Sequence, residues 1–173
     1  ITYLGSKLGE DYLAVNTILM QFIILAAFFL DAYAFSTEGV VGFTIGRKNR
    51  KSFLAVVKNS IQISFFTALI ISFLYLIFFK QLINIITDVE MLRFISFKHF
   101  IWIIIIPPIA AFCYQLDGIF IGASQTTEIR NAMIISVASF LVISIYLTKH
   151  FGNHGLWLSL VFFMILRSIT LYF

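Results

Sequence analysis

Three acids interrupt long apolar runs: Asp31, Glu38 and Asp117. An ionised carboxylate at the centre of a bilayer costs about 2.5–3.5 kcal/mol on insertion scales, so such residues turn toward a protein interior or a wet cavity. A carboxyl group taken out of water holds its proton more readily. That is the chemistry of proton coupling, and a cationic substrate or Na⁺ competes for the same group. At about 100° per residue, Glu38 lies roughly 20° from Asp31 around a helix, and Thr17, Gln21 and Gly42 fall within about 80° on one side. Tyr114, Asp117 and Ser124 share a face of another segment in the same way. Two polar stripes carrying acids predict a lined cavity. A purely structural role also fits each acid, through pairing that only orders the helices. Glu38, close to a basic turn, suits that role better, whereas Asp31 and Asp117 lie deeper in their runs and suit transport.

Other chemistry is thinly represented. Arg167 is the only cation well inside an apolar segment. Snorkelling to the interface is its simpler reading, and pairing with an acid on another segment is the sharper one. His150 and His154 stand four apart, as iron ligands of a membrane oxygenase would. The string HFGNHG contains two glycines and reads as a turn, and only His99 remains elsewhere, so no metal site is expected. There is neither a nucleophile–base constellation nor a phosphate-cradling loop, so an enzyme is not expected, nor any cofactor beyond a coupling ion, H⁺ or Na⁺. The single cysteine, Cys113, cannot form an internal bridge. The net charge of +4 is small and forms no basic stripe, which argues against a nucleic-acid partner.

The elements that position these residues follow from composition. Of 173 residues, 61% are hydrophobic and 12% charged, against about 45–50% and 25% in soluble domains. Too few polar groups are present to cover a soluble fold, and a disordered or disulfide-rich chain is equally excluded. The sequence therefore predicts an all-α integral membrane protein with membrane lipids around it. About 20 apolar residues cross a bilayer as a helix, and five spans are expected near residues 12–45, 59–79, 90–125, 129–148 and 153–173. No linker divides them, so residues 1–173 form one membrane domain. The first span exceeds the bilayer by about 20 Å, with Gly39 and Gly42 as flex points. Thr87 and Glu90 form a capping-box pattern at the start of the third. Pro107 and Pro108 should break or kink that span in mid-membrane, where transporters often place broken helices beside their sites. A passive kink is the alternative. Gly118 and Gly122 form a small-xxx-small pattern for close helix packing.

Orientation follows from Lys and Arg near the span ends. The turn with Arg47, Lys48, Arg50, Lys51 and Lys58, together with Arg130, outweighs the side holding Lys7, Lys80, Arg93, Lys98 and Lys149. This places the basic turn and the C-terminus in the cytoplasm. The chain starts at Ile1, and ITYLGSKLGED reads as a loop following an earlier element. The expectation is thus the C-terminal part of a larger transporter-like protein, with a complete five-span protein as the alternative.

The strings LAVNTILMQF, FFLDAYAFSTEGVVG, YQLDGIFIGASQT, EIRNAM and GNHGLWLSLVFFMILRSITL resemble the second lobe of the multidrug and toxic compound extrusion (MATE) family, DinF-like subgroup. The resemblance implies twelve helices in two six-helix lobes. The five spans would be the last five, and ITYLGSKLGE the outer end of the seventh helix. It further implies efflux of small cationic or amphipathic substrates across the cell membrane, driven by H⁺ or Na⁺, with the lobes rocking about a central cavity. Asp31 matches the acid of the subgroup's D-[AG]-[FY]-A-F motif, and Glu38 the acid after it. Asp117 falls in the tenth family helix, where some sodium-coupled members carry a cation-binding Asp. The proton-binding acid of the subgroup lies on the first helix, outside this chain, so the missing first lobe is an implied partner and the chain alone is expected to be inactive. Two other readings remain: a flippase for lipids or lipid-linked oligosaccharides, which should carry more cavity cations, and a non-transporting membrane remnant.

Overall fold

Long apolar runs without internal breakers give long helices, and the computed structural model, which describes residues 2–172, contains no strand among them. The elements in chain order are α1 (Thr2–Ser6), α2 (Glu10–Gly46), α3 (Arg50–Ile86), α4 (Glu90–His99), α5 (Ile101–Gly122) and α6 (Thr126–Tyr172). The opening segment is not simply a loop: α1 is a short helix that turns at Gly9, with φ 121°, into α2. Among the described residues four helices, α2, α3, α5 and α6, are long and apolar enough to cross a membrane.

The 37 residues of α2 make a rod of about 55 Å, well beyond a hydrocarbon core of about 30 Å. It stays helical through Gly39 and Gly42, with no flex point at either. The basic turn is shorter than the sequence implies. Only Arg47–Asn49 are non-helical there, and Arg50, Lys51 and Lys58 already belong to α3. Asn49 caps α3 by accepting from the Ser52 amide at 3.0 Å, satisfying one of its orphan donors.

The third expected span differs in two ways. It breaks at Phe100, where α4 ends and α5 begins. Helix α5 then runs unbroken through Pro107 and Pro108. A proline at 108 has no N–H to offer the carbonyl of Ile104, four residues back. Ser72 of α3 supplies the missing donor, its hydroxyl bonding Ile104 O at 2.8 Å. Side-chain compensation of this kind lets a membrane helix keep its prolines. The capping box does not form either: Thr87 ends α3, and Val89 precedes α4 without a side-chain cap. Arg93 fills the corner instead, donating to Thr87 O at 2.8 Å, Asn84 O at 3.2 Å and Asp88 Oδ1 at 3.0 Å.

The 47 residues of α6 are two arms. Gly152 adopts φ 56°, ψ −135°, a region open essentially to glycine alone. The chain reverses there, bringing Phe140 and Phe163 to 5.9 Å between ring centroids. A straight helix would separate them by about 34 Å. Gly155 packs directly on the Leu147 backbone, leaving no room for a side chain. Helix α5 packs against α2, α3 and the α6 hairpin. The core includes Leu19, Leu30, Phe79, Ile103, Ile106 and Trp157. Large apolar side chains such as Phe28 (68%), Phe35 (72%) and Phe66 (63%) remain exposed, a distribution suited to lipid or further helices rather than water.

Candidate functional site

Backbone contact builds the site. Gly118 sits on the backbone of Ala34, and Gly122 on that of Glu38, while Gly42 in turn faces Gly122 O. Only residues without side chains allow α5 this close to α2. The contact lays the two polar stripes side by side. Asp31, Ala34, Phe35 and Glu38 from α2 meet Tyr114, Asp117, Gly118 and Ile121 from α5 around a cavity of about 230 Å³. Arg167, on the second arm of α6, closes it. Gly118 therefore both packs and lines the cavity.

Arg167 does not snorkel. Its Nη2 lies 2.7 Å from Asp117 Oδ2, and the two side chains are 16% and 15% exposed. Of the two readings open from the sequence, pairing with an acid on another segment holds. Asp117 Oδ1 and Arg167 Nε stay buried without a hydrogen-bond partner, so the pair is only half satisfied. Among the described residues neither Asp31 nor Glu38 forms an ion pair. Beside the cavity, Thr37 donates to Gln115 Oε1 at 2.9 Å in the buried α2–α5 contact, and Thr67 donates to Tyr33 Oη at 3.2 Å.

The α2 stripe does not line one continuous cavity. Thr17 and Gln21 join Leu13, Asn16, Met20 and Ile24 around a second cavity of about 220 Å³, and Gln21 lies about 15 Å along the helix from Asp31. Ser124 leaves the α5 stripe altogether, since it follows the helix end with φ 58°. Among the described residues no group of three or more His, Cys, Asp or Glu could hold a metal.

A second polar cluster, absent from the sequence reading, sits at the other end of the same helices. Asn16 and Asn153 exchange hydrogen bonds of 2.7 and 2.9 Å, and the Trp157 indole donates to Asn16 Oδ1 at 2.9 Å. All three residues are buried. Nearby His99 stacks on His154 at 4.2 Å between centroids, and Trp102 donates to His154 Nδ1 at 3.1 Å. His99 ends α4, outside the span-length helices. Burial holds its pKa below the ordinary histidine value, against the opposing hydrogen bond to Ile95 O, with the charges of His154 and Lys98 adding to the lowering. The available signal was an Asn in a charge-free apolar run, the same signal that marked the acids.

Residues 1–148 match the MatE family model. The chain belongs to the MatE family. Over 171 residues, 99% of the chain, it is 35% identical to the DNA damage-inducible protein F of Escherichia coli K12, of which it covers 37%. It is 25% identical over 96% of its length to Protein DETOXIFICATION 43 of Arabidopsis thaliana, covering 32% of that protein. The chloroplastic Protein DETOXIFICATION 44 of the same plant is 22% identical over 98% of the chain. This MatE chain thus spans about a third of the length of the curated relatives it matches. No solved structure gives a significant match. Family membership and four span-length helices make it a DinF-like, multi-pass membrane protein. The resemblance read from its motifs holds.

Proposed function

We propose that this chain forms most of the second lobe of a secondary antiporter that expels cationic or amphipathic compounds in exchange for H⁺ or Na⁺. The carrying observation is the charged cavity between α2, α5 and α6, where Asp31, Glu38, Tyr114, Asp117 and Arg167 converge in an otherwise apolar bundle. Acids placed there are costly unless they serve a wet path or are paired. Asp117 has the pair, and Asp31, lining the cavity without an ion pair among the described residues, is left to serve the path. The exposed α2 face with Phe28 and Phe35 turns toward the first lobe, which completes the central cavity, and the chain alone does not transport.

In the complete transporter, Asp31→Asn removes most drug efflux from cells while the protein accumulates normally. Wild-type resistance in that variant would end the transport reading of the cavity. The basic α2–α3 turn and the C-terminus lie in the cytoplasm of a cell-membrane protein. Lys51→Cys tests this better than a change at Asn49, which caps α3. An impermeant thiol reagent labels it only after the membrane is opened, and labelling in intact cells inverts the topology.

A further inference from the structure

Three carboxylates and one guanidinium share the cavity, and they are not equivalent. Asp117 is held by Arg167 at 2.7 Å, while Asp31 and Glu38 form no ion pair among the described residues. A buried pair meets the charge requirement of one carboxylate without any mobile ion. Arginine keeps its charge in proteins, so this partner is not switched off by losing a proton. It is also tethered, and tethering on a short linker corresponds to an effective concentration on the order of millimolar. A small cation reaching Asp117 must displace that competitor. Displacement is costly for Arg167 too, because the groove of about 640 Å³ that it borders along the first arm of α6 is lined by Ile129, Met133 and Val137 and carries a second cation, Arg130. Asp117 Oδ1, buried without a partner, is the oxygen a released carboxylate would turn to a new cation.

Resting on the transport reading above, we infer that Arg167 is a specificity-determining residue: it is the resident counter-cation of Asp117, closing that carboxylate to small mobile cations and leaving Asp31, with Glu38 beside it, as the acids open to the transported charge. The two deep acids therefore have different occupants. Asp117 sets the electrostatic frame, and Asp31 takes the exchangeable cation or proton.

The test uses the complete transporter, purified in detergent, with Na⁺ as the probe against choline at constant ionic strength. Ligands that bind the folded state raise its unfolding temperature. Arg167→Gln gains a Na⁺-specific upward shift that the wild type lacks, and adding Asp117→Asn removes the gain. Any Na⁺ shift of the wild type itself persists in Asp117→Asn and disappears in Asp31→Asn. An Arg167→Gln response equal to wild type overturns the inference, as does a wild-type response that vanishes in Asp117→Asn. Where Arg167→Gln fails to accumulate, the exchanged pair Asp117→Arg with Arg167→Asp decides. Recovered accumulation with the wild-type Na⁺ response supports the inference, and continued failure overturns it. The shift reports ion binding without transport, so its failure is distinguishable from a failure of the efflux reading.

Discussion

Helices α2 and α6 meet through polar side chains at one end, and α5 meets α6 through them at the other. The first contact is neutral and saturated: Asn16 and Asn153 satisfy each other and Trp157 completes the set. The second is charged and half satisfied: Asp117 and Arg167 share one short bond, and each retains a buried atom without a partner. Some 22 Å of α2 separate Asn16 from Asp31. A saturated neutral cluster has no reason to exchange partners and fixes one geometry. A charge pair with unmet valence depends on each partner staying in place, because removing either strands the other. The same bundle thus keeps a saturated neutral joint and a half-satisfied charged one far apart.

The largest way to break this contrast is Arg167→Met, which strands Asp117 and lowers stability by about 3–5 kcal/mol. Removing both charges with Asp117→Leu in addition restores most of the loss, read by denaturant unfolding of the complete protein. Equal stability of the single and double variants would show that the pair does not hold the helices. Asn16→Leu strands the Trp157 indole donor and one Asn153 amide. It costs about 1–2 kcal/mol, since hydrogen bonds between membrane helices are individually modest. It leaves the Na⁺ response of Arg167→Gln unchanged, and a coupled change would join the two regions. The smallest effect belongs to pH. The folded-state pKa of His99 is depressed below 6.5, so the unfolded chain binds more protons in that window. Stability is level above pH 6.5 and falls as pH drops below it. His99→Phe, which keeps a ring against His154, flattens the profile in a melting series across that range.

Much of this was legible because the bilayer penalises ionisable groups so strongly. Asp31, Glu38 and Asp117 stood out as acids in apolar runs, and the spacing of Gly118 and Gly122 announced a close helix contact. Arg167 stood out as well, as a cation deep in an apolar run, but which acid it pairs with did not, since Asp117 is 50 positions away and the fold-back at Gly152 brings the two together. The HFGNHG turn was visible, but not that α6 stays helical up to a single residue on either side. Pro107 and Pro108 misled because a local rule predicted a break, while the compensating donor, Ser72, sits on another helix. Helix ends were misread where a side chain outside the usual cap positions satisfied the carbonyls, as Arg93 does at the α3–α4 corner. Local signals reported which residues are costly, and tertiary contacts decided how the cost is met.

The reversal at Gly152 has one more consequence. A protease binds several consecutive residues in extended form, and an inserted tag needs slack backbone on both sides. A bend made by one non-helical residue, with Gly155 pressed on the Leu147 backbone, offers neither. The HFGNHG segment, the most loop-like string in the sequence, is therefore a poor place to cut the chain or to graft onto it, and the Arg47–Asn49 connection is the better one.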